Sequence, residues 1–206
     1  MIKAVFLDYE GVVTAEWSIV HAHLFPKVSD FLSYEELKKR YDLGKRGKLT
    51  FEEFVKGIPP EKRFLHMKMV RYRKGSKEAI KNLRKKFHLY VASNHLEVYF
   101  DKEVEKMKSK KYFRKLFVSN ELKCAKPDKE FFDKILKLSG EKSEESIFVD
   151  DAKRNLIAAK QSGFVTIWVN NKATNDIRNH LEFTPDYEIT DLRELEKIIE
   201  KINSKK

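Results

Sequence analysis

The feature that most constrains this chain is a short apolar run, Ile2–Leu7, that ends at an acid, Asp8. The run lacks the strict alternation of a half-exposed strand, so it predicts a strand covered on both faces. Comparable runs recur at His88–Ser93, Ser146–Val149 and Val165–Val169. Between them lie stretches of helical spacing. Lys77–Phe87 spaces Ile80, Leu83 and Phe87, and Lys129–Leu138 does the same with Phe131, Phe132, Ile135, Leu136 and Leu138. Ala152–Gln161 and Leu192–Ile202 follow the pattern. Strand and helix in alternation predict a parallel sheet with helices on both faces.

One stretch breaks that alternation. From Ala15 to Lys74 the sequence reads as successive helices and no strand: Glu16–Leu24, Ser33–Leu43, Thr50–Lys56 and Pro60–Tyr72. Thr50 and Glu53 have capping-box spacing, and Pro60 suits a first helical turn. The expected fold class is therefore α/β: a doubly wound, Rossmann-like parallel sheet with a small all-helical cap inserted after the first strand. Residues 1–14 and 75–206 would form the core and 15–74 the cap, with hinges at Gly11–Thr14 and Arg73–Ser76.

Composition narrows the function classes. The chain has 206 residues, 41% hydrophobic and 36% charged, which befits an ordered globular protein. No apolar run approaches the roughly 20 residues needed to span a bilayer. The start, Met-Ile-Lys-Ala-Val-Phe-Leu-Asp, has no basic leader or long apolar centre, so no signal peptide is expected. The single cysteine, Cys124, cannot make an internal disulfide, which fits a cytoplasmic location. The formal charge of +11 reads first as a lysine-rich solvated surface, because both signs are interleaved. Basic runs with aromatics at Lys62–Lys74 and Lys102–Lys115 are the features that would favour nucleic acid. In the first of these the apolar residues make no single clean stripe, so a solvated face is preferred and a nucleic-acid partner is not expected. Oligomeric state is not legible.

Ligands of an open parallel sheet bind beyond the carboxyl ends of its strands. The first strand ends in Asp8-Tyr9-Glu10-Gly11, the second in Ser93-Asn94, and a later one in Asp150-Asp151. Lys126-Pro127-Asp128 precedes the helix at Lys129. Carboxylates brought together along one edge repel one another unless a cation neutralises them.

These pieces, in this order, resemble the four motifs of the haloacid dehalogenase superfamily, from Ile2 to about Leu195. The resemblance implies a magnesium-dependent phosphohydrolase in which Asp8 attacks phosphorus and is transiently phosphorylated. It implies that Mg2+ is held by Asp8, by the Glu10 backbone carbonyl and by Asp151, with Asp150 behind; the residues leave open which of Asp150 and Asp151 touches the metal. Ser93 and backbone N–H groups including that of Asn94 would bind the phosphoryl oxygens, and Lys126 would lend positive charge to Asp8 and the transferring group. Glu10 departs from the usual aspartate general acid–base by one methylene, and resembles the enolase-phosphatase branch in doing so. A protein that only binds phosphate, or nucleic acid, on this fold is the alternative. A dehalogenase-type hydrolase is disfavoured, since that branch carries no acid here. Tyr41–Phe54 resembles the cap of small sugar-phosphate phosphatases and of the phosphatase domain of soluble epoxide hydrolases, which implies a small phosphorylated metabolite, such as a sugar phosphate, as partner. Trp17, His21 and Tyr41 are cap candidates for contacting it, and His95 lies close to the expected site.

Overall fold

The computed structural model describes residues 1–15, 24–170 and 181–204. Six strands form one parallel sheet: β1 (Ala4–Leu7), β2 (His88–Ser93), β3 (Lys115–Val118), β4 (Ser146–Asp150), β5 (Val165–Val169) and β6 (Tyr187–Ile189). Their order is β3-β2-β1-β4-β5-β6, and every neighbouring pair is parallel. The chain winds outward from β1 through β2 to β3, then returns to the far side of β1 for the rest. That reversal leaves a crevice at the carboxyl ends of β1 and β4, where such sheets take ligands.

The helices are α1 (Phe25–Val28), α2 (Tyr34–Gly44), α3 (Phe51–Phe54), α4 (Ser76–Leu83), α5 (Glu97–Met107), α6 (Ser119–Leu122), α7 (Lys129–Ser139), α8 (Lys153–Gln161) and α9 (Leu195–Ser204). Side chains alternate across each strand. Val5, Leu7, Val91, Ile147, Val149 and Ile167 pack on one face with Ile80 and Leu83 of α4 and Leu195 and Ile199 of α9. Phe6, Tyr90, Phe117, Phe148 and Trp168 pack on the other with Phe131, Phe132 and Ile135 of α7 and Leu156 of α8. The register sets Leu7 between Val91 and Val149, and Phe6 between Tyr90 and Phe148. The Phe6 and Tyr90 rings stack at 4.7 Å. Each such fully buried side chain stabilises the fold by about 1.5–3 kcal/mol. A one-residue slip of β1 would exchange the two sets and move Asp8 off the carboxyl edge.

Between Thr14 and Tyr72 the described residues contribute no strand to this sheet. They form α1, α2, α3 and two 3₁₀ turns, Pro60–Lys62 and Leu65–Met69, and α4 follows before β2. Ser33 caps α2 by accepting from Glu36 N at 3.2 Å, and Thr50 and Glu53 form the expected capping box on α3. Leu24, Val28, Leu37, Tyr41, Phe54, Val55 and Ile58 make a separate apolar cluster, closed by Leu96 and Tyr99 at the start of α5. The helix expected over Glu16–Leu24 falls, but for its last residue, outside the described residues, as do Trp17 and His21.

The chain leaves and returns to the core side by side. Thr14 and Tyr72 form an antiparallel bridge, flanked by Arg73 N donating to Val13 O at 3.0 Å and Ala15 N donating to Arg71 O at 3.1 Å. This pairing corrects the expectation of one helix over Pro60–Tyr72. A helix through Tyr72 would turn its backbone groups inward, away from Thr14, so the segment breaks into 3₁₀ turns and ends extended at Val70. The edge strands β3 and β6 were not among the expected strands. Among the described residues no helix is long and apolar enough to cross a membrane.

Candidate active site

Asp8 follows β1 directly and opens a tight turn, Tyr9–Val13. Its Oδ1 accepts from Tyr9 N at 2.7 Å, which holds the carboxylate at the edge of the sheet. Tyr9 anchors the turn from below: its hydroxyl is 2.9 Å from Ser109 Oγ and its ring packs edge-on to Phe100 at 5.0 Å. Gly11 takes φ +79, the left-handed region that favours glycine. A Cβ there would lie 2.5 Å from Asp151 Oδ2. The bare Gly11 backbone therefore lets the loops after β1 and β4 close on each other.

Lys126 is buried between two acids, with Nζ 3.0 Å from Asp8 Oδ1 and 2.7 Å from Asp150 Oδ2. Asp150 is fully engaged: Oδ1 accepts from Ala152 N at 2.8 Å, and Asn155 Nδ2 donates to Oδ1 at 3.1 Å and to Oδ2 at 3.0 Å. Burial disfavours the lysine's charge, yet Asp150 and Asp8 outweigh it and raise its pKa. One ammonium cannot fully offset two carboxylates, and Asp150 has the shorter contact. Asp8 carries the deficit: burial pushes its pKa up to about 7, Lys126 opposes and Asp150 adds to the rise.

Asp151 is buried beside this pair, and Trp168 Nε1 donates to its backbone carbonyl at 3.0 Å. One carboxylate oxygen from each of Asp8, Asp150 and Asp151 lies within 4.8 Å of the others. Three buried acids with one lysine among them make a hard, oxygen-rich, electron-excess site that fits a divalent cation such as magnesium. Asp150 is held in place by Lys126, Asn155 and Ala152.

Ser93 ends β2 with its side chain buried, and its Oγ has no hydrogen-bond partner among the described residues. A buried hydroxyl of this kind fits an anionic oxygen as partner. Asn94 points elsewhere. Its Nδ2 donates to Lys126 O and its Oδ1 accepts from Lys126 N, both at 2.8 Å. The Asn94 side chain thus clamps the Lys126 loop, and only its backbone can serve a phosphate. Tyr41 of α2 donates its hydroxyl to Asn94 O at 3.0 Å, so the helical insertion is tied to this loop. Arg46 with Asp128, and Asn120 Nδ2 donating to Gly44 O, add two further ties.

A second buried cluster lies beside Glu10. His95 Nε2 is 3.3 Å from Glu10 Oε1 and 3.1 Å from Glu103 Oε1, while Nδ1 is 3.0 Å from Leu96 O. Burial opposes charge on the ring, but Glu103 and Glu10 outweigh it and hold the His95 pKa well above 6.5. Sequence reasoning placed His95 near the site and missed Glu103. The signal was a glutamate within the apolar stripe Tyr99, Phe100, Val104, Met107 of α5. It also missed Arg73, whose Nη1 donates to Gly11 O at 2.6 Å and whose charge faces Asp151.

The family described as haloacid dehalogenase-like hydrolase matches residues 26–169, from the helical insertion to the end of β5. The chain belongs to that family. Among curated proteins the chain is similar to the pyrimidine 5'-nucleotidase PynA of Streptococcus pneumoniae, 26% identical over 127 residues. That match covers 58% of this chain and 52% of PynA, so the chain spans about half the length of the relative it matches. Among solved structures it resembles a haloacid dehalogenase-family enzyme from Bacteroides thetaiotaomicron in complex with magnesium and inorganic phosphate. The TM-score is 0.73 at 20% identity, covering 86% of this chain and 100% of that one. It also resembles YfnB of Bacillus subtilis bound to magnesium (TM-score 0.67, 20% identity, 96% and 98% covered). A 2-haloacid dehalogenase from Pseudomonas syringae pv. tomato is similar too (TM-score 0.71, 17% identity, 98% and 100% covered). At these identities the structural likeness establishes the fold alone.

Proposed function

We propose that this hydrolase is a magnesium-dependent phosphatase that cleaves a small phosphomonoester through an aspartyl-phosphate on Asp8. The observation that carries the reading is the meeting of Asp8, Lys126, Asp150 and Asp151 in one crevice, with three carboxylate oxygens within 4.8 Å. Asp8 and Asp151, with the Glu10 backbone carbonyl and Asp150 behind them, would hold the cation; when bound, it screens the anionic nucleophile from an anionic substrate. Asp8 Oδ attacks phosphorus, the P–O bond to the leaving group breaks, and Glu10 protonates the departing oxygen. Water then attacks the aspartyl-phosphate, Glu10 takes its proton, and phosphate leaves with Asp8 restored. Ser93 Oγ and the Asn94 N–H orient the phosphoryl oxygens, and Lys126 balances charge on Asp8. The division into a core (1–14 and 75–206) and a helical cap (15–74), and a cytoplasmic location, belong to the same proposal.

The likeness to a 5'-nucleotidase puts nucleoside monophosphates beside sugar phosphates as substrates to try. A dehalogenase reading is favoured by structural neighbours that are haloacid dehalogenases, but it gives no use to a cation held by the acid trio or to the side chain of Glu10. The test is phosphate release from a chromogenic aryl phosphate with magnesium, with chelator, and in Asp8→Asn, followed by a panel of both phosphate classes. Magnesium-dependent release that Asp8→Asn abolishes supports the reading. No release, or release retained in Asp8→Asn, overturns it.

A further inference from the structure

The superfamily's usual acid–base residue is an aspartate, and Glu10 is longer by one methylene and one rotatable bond. A longer carboxyl reaches further but also wanders, so its productive placement needs a restraint. His95 supplies the restraint. Leu96 O can only accept, so His95 Nδ1 carries a proton and donates to it at 3.0 Å. The opposite nitrogen, Nε2, faces Glu10 Oε1 at 3.3 Å and Glu103 Oε1 at 3.1 Å. Two carboxylates converge there on one nitrogen at ion-pair distance, which requires a proton on it as well as on Nδ1. The ring is fully buried and lies 5.7 Å from Phe100, so it cannot swing away.

Glu103 makes the arrangement more than incidental. It is 0% exposed, in a helix face otherwise given to Tyr99, Phe100, Val104 and Met107. A carboxylate in such a place is costly unless it is paired. Its place in packing could be taken by leucine; its pairing with His95 could not.

We propose that His95, backed by Glu103, is a positioning residue that aims the carboxyl of Glu10 in the phosphatase reaction. The inference rests on the reading above. His95 touches neither the phosphoryl group nor Asp8; it acts through Glu10. The device suits glutamate alone: an aspartate at position 10 would fall short of Nε2 by about the length of one C–C bond.

The test measures kcat and KM for an aryl phosphate in His95→Ala, His95→Gln and Glu103→Gln, each in the native background and in Glu10→Asp. Misplaced acid–base groups lower kcat, so His95→Ala and Glu103→Gln should lose roughly 10- to 100-fold in kcat with KM nearly unchanged. His95→Gln, which returns an amide donor near the Nε2 position, should recover part of the loss. In Glu10→Asp the same changes should cost less than about twofold, the size of ordinary additivity error. Wild-type kcat in Glu103→Gln, or equal losses in both backgrounds, overturns the role and marks the cluster as structural. Should His95→Ala fail to fold by circular dichroism, Glu103→Gln and His95→Gln decide the matter. A wild-type chain without phosphatase activity overturns the underlying reading and this role with it. Native activity lost in Asp8→Asn, with additive His95 effects, overturns this role alone.

Discussion

Asn94 and Lys126 exchange two hydrogen bonds, side-chain amide to backbone amide, each 2.8 Å long. The exchange joins the end of β2 to a loop 32 residues further on, and so fixes where the lysine stands relative to Asp8. Asn94→Ala removes both bonds and leaves a buried donor and acceptor at Lys126. Urea denaturation should show a loss of about 1–3 kcal/mol, with a fall in kcat as Lys126 drifts. Asn94→Asp keeps the acceptor but sets a carboxylate against Lys126 O, so it should be no better than alanine. Native stability and kcat in both variants would contradict the clamp.

Lys126→Met leaves Asp8 and Asp150 buried with no ammonium between them. Breaking a buried ion pair from one side costs about 3–5 kcal/mol. The melting temperature in chelator should drop accordingly, and magnesium should restore part of it, because a cation at Asp8 and Asp151 relieves the same repulsion. A variant as stable as the native chain in chelator would refute this electrostatic picture.

The raised pKa of Asp8 gives the metal-free protein a definite pH dependence. An unfolded aspartate titrates near 3.8 and the folded one at about 7, so between these values the folded state holds more protons. Stability from this group is complete below pH 4 and is lost as pH rises through 7. Thermal melts in chelator should therefore fall from pH 4.5 to 7.5 by more in the native chain than in Asp8→Asn, whose side chain does not titrate. Parallel pH profiles for the two proteins would rule the shift out.

Gly11→Ala should injure the site twice. Its backbone is left-handed, and its Cβ would meet Asp151 Oδ2 at 2.5 Å. Strain of this kind costs on the order of 1–3 kcal/mol, and the displaced carboxylate should weaken magnesium binding. Trp168, whose indole donates to Asp151 O, offers a fluorescence signal for that titration. Unchanged magnesium affinity in Gly11→Ala would show that Asp151 does not hold the ion.

The centre of the sheet is legible in the sequence because β1, β2, β4 and β5 are covered on both faces and read as apolar runs. The edges are not. β3 pairs only with β2 and opens with Lys115, while β6 is three residues long with Glu188 in its middle. One-sided pairing leaves too little apolar sequence to distinguish such strands from loops. The same division holds at the site. Asp8, Ser93, Asp150 and Asp151 stand out because they close the central strands, and Lys126 because it precedes α7 in the same order of motifs. Glu103 owes its meaning to a histidine on another element, and Asn94 spends its side chain on Lys126, which no spacing rule reveals.

The bridge between Thr14 and Tyr72 has a bearing on how this molecule can change over generations. Because the two linkers run side by side, the sheet experiences everything between them as one loop with its ends already joined. Lengthening, shortening or replacing such a loop alters closure entropy only logarithmically, by about 0.6 kcal/mol per doubling. The helical insertion can then be traded for another without renegotiating the six strands or the acids at their ends. In the proposed phosphatase, substrate choice and catalytic machinery would thereby come under separate inheritance.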